Sequence, residues 1–398
     1  MKEVVIVSAA RTPFGKFGGV LKDFSAIDLG TKAVKAVIKK INFEPALVDE
    51  VYMGVAVLAG TASVAARQVL ISSGLPAQTP SLTIDRACCS SMTCVGLAMR
   101  NIRDGEINTA IAGGMEAMSQ APLIARGIRW GVRLGGVMLE ETLFLRNPIL
   151  NIPLAVGAAE VALQYGVGRE EQDRWAFRSH QNYYAAFEAG KFIDEIEPIE
   201  ICPPGGTITL MDRDESPRSD TSLEKLQALS TVYGSKTVTA GNAPGLNDGA
   251  SAFVLMSKER QKDLRLQPSA TLLAYVNMAG DPLASPYLPA LSIRKALEKI
   301  GRKLVDLKRI EINEAFAATP LVSTKVLSNG DEKMLEYLRS ITNVNGGAVA
   351  IGHPTGASGG RIIMTLMYEL HRLGGGLGAA SICGGYGQSD AVILQVEE

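Results

Sequence analysis

The feature that most constrains what this chain can fold into is an internal correspondence between its two ends. When the sequence is laid on itself with a shift of 259 residues, Ile38, Ile41, Val48, Val51 and Met53 fall on Leu297, Ile300, Leu307, Ile310 and Ile312. Apolar phase is kept through a helix pattern, a loop and a strand pattern, so the two halves read as copies of one unit. The same shift sets Cys88 opposite Gly347, in the Gly-rich lead-in to a second long helical segment. IAGG at 111 roughly answers ICGG at 382.

Each copy alternates strand and helix patterns: VVIVSAA, then IDLGTKAVKAVIKKI, then EVYMGVAVL, and, after a long periodic segment through Arg103, NTAIAGG. Such alternation predicts an α/β architecture. From Ala121 to Asn247 the texture turns rich in Arg, Pro and Gly around one helix, REEQDRWAFRSHQNYYAAFEAG, ending on Gly190. This stretch reads as an insertion. Strand and helix patterns resume at ASAFVLMS and continue through LSIRKALEKI and KRIEIN. At 398 residues the chain exceeds one small core. It divides into an N-terminal half over 1–120 and 248–268, an inserted loop domain over 121–247, and a C-terminal half over 269–398.

Forty Lys plus Arg against 41 Asp plus Glu leave a net charge of −1. No global field would then hold nucleic acid or an anionic membrane, and any anionic ligand must be met locally. No run of apolar residues is long enough to span a bilayer. The opening MKEVVIVSAARTPFG carries an acid at position 3 and too short an apolar run for a signal peptide. Five cysteines in so long a chain make no disulfide framework. A reducing, cytoplasmic setting is expected, in which the cysteines are core filler or chemistry.

In TIDRACCSSMTCVGLAMRNIRDG a strand pattern gives way to a helix near Ser90, and Cys88 stands at that junction. The positive end of a helix favours thiolate and hence a nucleophile there, although a buried structural cysteine fits the same position. Cys89 and Cys94 read as structural. Adjacent thiols followed by a gap of five do not suit tetrahedral zinc, so no metal site is expected. Of three histidines, His180 lies in the polar helix of the insertion and His371 in a last helical turn before Gly374. Both read as surface or capping residues. His353, fixed between Gly352 and Pro354 ahead of a long apolar helix, is either a partnered imidazole or a turn histidine. Cys383 follows GAASI and precedes Gly384-Gly385, whose backbone suits an oxyanion site. Asn313 follows KRIEI as an N-cap or a functional amide.

Together CCS at 88, NEAF at 313, GHPTGASG at 352 and CGGYG at 383 resemble, in order and spacing, the four catalytic loops of the thiolase family. The resemblance runs over the whole chain, through MKEVVIVSAARTPFGKFGG, IAGGMEAMSQAP, VTAGNAPGLNDGA and NVNGGAVAIGHPTGASG. It implies a thiolase-like, five-layered α/β/α/β/α fold of two duplicated halves, with the inserted loop domain covering coenzyme A. The implied activity is that of an acyl-CoA C-acyltransferase of fatty acid metabolism, which reversibly cleaves a 3-oxoacyl-CoA or condenses with acetyl-CoA through a cysteine acyl-enzyme. Cys88 would carry the acyl group, His353 would activate it, and Cys383 would move the proton at the α-carbon. Asn313, through a fixed water, and His353 would hold the enolate oxygen; the backbone N–H groups of Cys88 and Gly385 would hold the acyl oxygen. The partners implied are acyl-CoA and CoA, with CoA a substrate rather than a cofactor, and the assembly a homodimer or homotetramer.

Several positions depart from the family pattern. C-G-S-G reads CCSS, which puts the side chains of Cys89 and Ser91 where close backbone approach is expected. Pro153-Leu154-Ala155 replaces a His-Met-Gly or Met-Gly sequence, Pro244 replaces a serine facing pantetheine, and ALSTVY replaces K-L-R-P-x-F. Arg218 aligns with an arginine that meets the adenine or phosphate end of CoA. Leu154 and Pro244 would therefore contact CoA on altered terms. The alternatives are a thiolase-fold enzyme for an unusual acyl-CoA and a noncatalytic thiolase-like subunit.

Overall fold

The computed structural model describes residues 1–61, 63–143, 146–202 and 206–397. The N-terminal half contributes β1 (Val4–Arg11), α1 (Ala26–Lys40), β2 (Glu50–Gly54), α2 (Ala65–Ser72), β3 (Ser81–Ile84), α3 (Ser90–Asp104) and β4 (Thr109–Ala117). Helices α4 (Leu154–Gln164), α5 (Arg169–Glu188) and α6 (Leu223–Gln227) follow, and β5 (Asn247–Ser257) returns to the same sheet. The C-terminal half contributes β6 (Ala270–Ala279), α7 (Leu288–Lys299), β7 (Leu307–Ile312), α8 (Ala318–Ser328), α9 (Glu332–Ile341), α10 (Thr355–Arg372), β8 (Gly376–Gly384) and β9 (Gln388–Val396).

These strands run in the order β7-β8-β9-β6-β1-β5-β4-β2-β3. Apart from β3, which adds one more parallel strand beyond β2, the pairing is the same in the two halves, parallel for β7-β8 and β2-β4 and antiparallel toward the middle. The halves meet where β1 and β6 pair through Val4↔Leu272, Val5↔Thr271 and Ile6↔Ala270. Alternation along the strands distributes side chains among three cores. On β5, Ala252, Val254 and Met256 face α1 and α2, while Phe253 and Leu255 face α3 and α10. On β9, Val392 and Leu394 join that central core, while Ala391 and Ile393 pack against the α7 to α9 side. The result is five layers, helix, sheet, helix, sheet, helix. Helix α10, in the middle, is buried nearly all round, and a stripe of Ser358, Arg361, Thr365 and Glu369 is buried along with its apolar residues.

Helix ends follow local chemistry. The Ser25 side chain accepts from Asp28 N at 3.1 Å and the Asp28 carboxylate accepts from Ser25 N at 3.0 Å, a capping box that starts α1.

The structure alters three readings of the sequence. The 259-residue register holds for α1 with α7 and β2 with β7, then slips. The central helices begin at Ser90 and Thr355, 265 residues apart, which sets Cys88 opposite His353 rather than Gly347. Where the first half has α2 and β3 the second has α8 and α9, and the longer interval they span accounts for the slip. The strand in EVYMGVAVL ends at Gly54, because the N–H groups of Ala56 and Val57 turn aside to Glu116. The segment between β4 and β5 carries three helices, not one. Helix α4 was hidden because Ala155, Ala158, Ala159, Val161 and Ala162 are all buried, leaving no polar stripe to mark a period.

That segment is fastened by buried ions. The Arg11 guanidinium, fully buried, meets Glu195 at 2.8 Å and Asp214 at 2.7 and 2.9 Å. Glu314 accepts from Trp175 Nε1 and Ser179 Oγ of α5, each at 2.8 Å, and from Val349 N at 3.0 Å. Arg11 tolerates burial because it is paired with two carboxylates, and Glu314 because its oxygens accept several hydrogen bonds.

Candidate active site

Between β3 and α3 the chain makes a tight turn in which Ala87 takes a left-handed φ of 49°, a costly conformation for a residue with a Cβ. Hydrogen bonds hold it there: Ala87 N donates to Asp85 at 2.9 Å, Arg86 N to Ser90 Oγ at 2.9 Å, and Ser90 Oγ to Ala87 O at 2.6 Å. The turn presents Cys88, half-buried, at the start of α3. His353 stands at the start of α10, and its Nε2 lies 3.2 Å from the Cys88 sulfur. The positive ends of the two central helices therefore converge on one thiol and one imidazole.

Which imidazole nitrogen carries the proton follows from the hydroxyl beside it. Ser358 Oγ donates to Pro354 O at 2.9 Å, so toward His353 Nδ1, at 2.6 Å, it can only accept. The proton thus sits on Nδ1, and Nε2 turns its lone pair to Cys88. Burial, and then the charge of Arg361, lower the His353 pKa to about 3, so the ring is neutral and ready to accept. The loop is pinned as well: His353 N donates to Asn247 Oδ1 at 2.8 Å, and at Gly352, with φ of 109°, any Cβ would strike that asparagine.

The thiol departs from expectation. Burial, and then neighbouring Cys383 and Glu116, push its pKa well above the ordinary cysteine value, against the pull of the amides of Cys88 and Gly385. The helix dipole does not make a resting thiolate here, because desolvation of a buried anion outweighs it. The pair rests as thiol and imidazole, and the proton moves when the sulfur attacks. In that step the Nδ1–H···Oγ bond becomes charge-assisted, a bond worth about 1.5–3 kcal/mol. Ser358→Ala is therefore expected to slow acylation of Cys88 roughly 10- to 150-fold. Quenched-flow acylation reads this, and an unchanged rate in a folded variant would remove the tautomer assignment.

Cys383, at the end of β8, is buried, and burial raises its thiol pKa to about 12 while the Thr319 hydroxyl pulls it down. Asn313 is not an N-cap: α8 begins only at Ala318. Its N donates to Ser381 O at 3.0 Å, its Nδ2 lies 3.5 Å from His353 Nε2, and its buried Oδ1 has no partner among the described residues. Gly385 borders the same two cavities as Cys88, and its amide pulls the Cys88 pKa down. Cys88, His353, Asn313, Cys383 and Gly385 thus come together.

Other readings change. His180 is not a surface residue; it is buried, accepts from Arg218 N at 3.2 Å, and burial followed by the Arg218 charge lowers its pKa to about 4. The CCSS side chains are absorbed by glycines facing them. A Cβ at Gly384 would lie 2.8 Å from Cys89 Sγ, and one at Gly114 2.7 Å from Ser91 Cβ, while Ser91 Oγ accepts from Gly360 N at 2.8 Å. Glu116 escaped notice although it stands in IAGGMEAMSQAP. Its carboxylate accepts from Ala56 N and Val57 N at 3.1 Å and from Gly356 N at 2.8 Å, tying the start of α10 to the end of β2. An acid inside an otherwise apolar strand was its only signal.

Two cavities meet at Cys88. One, about 560 Å³, is bounded by Cys88, Cys383 and Gly385 and recedes between Leu154, Pro282, Leu283 and Phe316. The other, about 1000 Å³, runs past His353, Leu154, Val238, Pro244 and Leu246. Through Ala243, Gly245 and Leu246 it adjoins a surface cleft of about 1280 Å³ that carries Lys16, Arg218 and Lys225. Lys225 meets Asp220 at 2.9 Å and Lys16 meets Glu215 at 3.7 Å; Arg218 has no carboxylate partner among the described residues. Leu154 and Pro244 therefore border the thiol's own cavities, and Arg218 lies further out.

The family model described as thiolase, N-terminal domain, matches residues 4–259, and that described as thiolase, C-terminal domain, matches residues 266–396. The chain is 40% identical to an acetyl-CoA acetyltransferase of Chromobacterium violaceum over 99% of both chains. It is also 40% identical to the mitochondrial 3-ketoacyl-CoA thiolase of Homo sapiens, over 99% of this chain and 98% of that one. Among solved structures it is similar to the human mitochondrial 3-ketoacyl-CoA thiolase in complex with CoA, with a TM-score of 0.92 at 40% identity, covering 100% of this chain and 98% of that one. It is likewise similar to the Bacillus anthracis acetyl-CoA acetyltransferase, with a TM-score of 0.94 at 39% identity over 99% of both chains.

Proposed function

The chain belongs to the thiolase family, and from that premise we propose that it is an acyl-CoA C-acyltransferase acting on 3-oxoacyl-CoA through an acyl-enzyme on Cys88. The observation that carries the assignment of roles is the 3.2 Å contact between the Cys88 sulfur and a His353 Nε2 whose tautomer Ser358 sets.

In thiolysis the Cys88 proton passes to Nε2 as the sulfur attacks the 3-oxo carbon. The amides of Cys88 and Gly385 hold the oxygen that becomes negative. The bond between C2 and C3 then breaks, acetyl-CoA leaves as its enolate, and Cys383 returns a proton to the α-carbon. Asn313 and the protonated Nε2 lie where that enolate oxygen needs donors. His353 then passes the proton it took to the Cys383 thiolate, CoA attacks the acyl-enzyme and gives its thiol proton to the freed Nε2, and His353 returns that proton to Cys88 as the sulfur leaves. Because the transfer from Cys88 to CoA moves the acyl group between sulfurs of similar leaving ability, that half-reaction runs readily in both directions. Incubation with acetoacetyl-CoA and CoA should consume the enolate absorbance and yield two acetyl-CoA; no loss of absorbance with Cys88 unacylated would refute the reading.

CoA enters through the cavity that passes Pro244, with its phosphates toward Arg218. Pro244 has no hydroxyl to donate and Leu154 no polar group, so pantetheine is held here by apolar packing. A neutral hydrogen bond restored by Pro244→Ser contributes roughly 0.5–1.5 kcal/mol, so KM for CoA is expected to fall about two- to tenfold. Loss of the proline's rigidity opposes this by about 0.4–1 kcal/mol, which the melting temperature reports separately. Weaker CoA binding at unchanged stability would count against apolar retention.

A further inference from the structure

We infer that Arg86 and Asp390 are positioning residues of the reaction, a buried ion pair that fixes the separation of the two amides, Cys88 N and Gly385 N, between which the acyl oxygen is held. The inference rests on the acyltransferase reading and adds to it the residues that set the width of that oxygen's site.

The two amides come from different halves of the molecule. Cys88 stands in the turn between β3 and α3, and Gly385 in the turn between β8 and β9. Two donors stabilise one oxyanion only when both lie about 3 Å from it, so the two turns must be held at a fixed distance. Their direct contacts are close but weakly directional. A Cβ at Gly384 would lie 3.0 Å from Arg86 O, and Cys89 Sγ lies 3.5 Å from Ile382 O.

Arg86 supplies the direction. Its main chain is locked into the Cys88 turn, with Arg86 N donating to Ser90 Oγ at 2.9 Å and Arg86 O accepting from Cys89 N at 3.1 Å. Its guanidinium reaches the strand that leaves the other turn. Nε donates to Oε1 of Gln388, the first residue of β9, at 3.1 Å. Nη1 donates to Asp390 Oδ1 at 2.5 Å and to Thr93 Oγ1 at 3.1 Å. Asp390 Oδ2 in turn accepts from Thr93 Oγ1 at 2.6 Å and from the Tyr275 hydroxyl at 2.9 Å. Helix α3 makes room for that tyrosine at Gly96, where a Cβ would lie 2.3 Å from the ring. The carboxylate is therefore held from α3, from β6 and from the Cys88 turn at once.

The cost of the pair marks it as more than packing. Asp390 is fully buried and, by the alternation of the strand, shares its face of β9 with Val392 and Leu394 of the central core. An apolar residue there would serve stability as well, because the desolvation of a buried ion pair commonly outweighs its attraction. Apolar contact does not fix an angle. A planar guanidinium bonded through Nε and Nη1 to two residues of one strand fixes both distance and angle.

The test compares the wild type with Asp390→Asn and with the double variant Arg86→Met/Asp390→Leu, each acylated by acetyl-CoA carrying carbon-13 at the carbonyl. In both variants acylation of Cys88 should slow about 10- to 100-fold, while KM for CoA stays within about twofold of the wild type. The infrared stretch of the acetyl-Cys88 carbonyl should move to higher wavenumber, toward that of a free thioester, as its donors drift apart. The double variant should melt no lower than the wild type, which separates the effect from loss of the fold, and Asp390→Asn repeats the test at unchanged volume. Wild-type rate and stretch in either folded variant, whatever its melting temperature, overturn the positioning role. Slower acylation with an unmoved stretch overturns it as well, since the pair would then act on the nucleophile and not on the oxygen. Both results leave the acyltransferase reading intact. Absence of an acyl group on Cys88 in the wild type overturns that reading and the inference together.

Discussion

Cys88→Ala is expected to lower thiolysis by about 10⁴- to 10⁶-fold, the loss typical of deleting a nucleophile that acts as one unit with its base. Cys89→Ala is expected to keep most of the activity. The two thiols are neighbours in sequence and both raised in pKa by burial, so acidity does not choose between them. Geometry does. The Cys88 sulfur faces His353 Nε2 at 3.2 Å and lines both cavities. Cys89 is fully buried, with its sulfur 3.5 Å from Ile382 O and packed against Gly384. Its truncation therefore costs stability, about 1–3 kcal/mol for a small buried side chain. Brief incubation with acetyl-CoA followed by peptide mass spectrometry should place the acyl group on Cys88. Label on Cys89 with Cys88 free would reverse the assignment.

His353→Ala and Cys383→Ala should separate the two half-reactions. The general base of the thiol serves acylation, so His353→Ala should slow acylation by acetyl-CoA about 10²- to 10⁴-fold. Cys383 is buried with its thiol pKa near 12, close enough to that of a carbon acid made more acidic by enolate donors to exchange a proton with it. Cys383→Ala should therefore still form acyl-Cys88, yet lose condensation and thiolysis by about 10²- to 10⁴-fold. Exchange of the acetyl-CoA α-protons with deuterated water offers a direct readout: it should vanish in Cys383→Ala. If that variant stays folded and cannot be acylated, Cys383 acts on the nucleophile and not on the carbon acid.

The wall between the two cavities joins one stretch in which the sequence departs from its family, Pro153-Leu154-Ala155, to one that keeps the family pattern, NEAF at 313. Leu154 and Phe316 line both spaces, and Pro153-Leu154-Ala155 opens the helix that carries Gly157. A departure in that turn therefore reshapes both cavities together. By contrast, Cys89 and Ser91 changed nothing that reaches the substrate, since Gly384, Gly114 and Gly360 take up their side chains.

The layered α/β plan, the duplication, the insertion and the four loops of the site are legible in the sequence. Each of these is written locally: strand and helix periods show in short windows, and CCS, NEAF, GHPTGASG and CGGYG each sit at an element's end where a backbone must turn. Only the tertiary structure decided what depends on residues far apart in the chain. Cys88 and His353 meet because two helices that start 265 residues apart bring their N-termini together. Whether the thiol rests charged, whether His180 lies at the surface, and which nitrogen of His353 carries its proton are all questions of burial and of a neighbour's spare lone pair. The cavities belong to no segment. One is the space left between α4, the turn after β6 and the loop before α8, the other lies between the start of α4, that loop and residues 232–246, and their size follows from how closely these pieces pack.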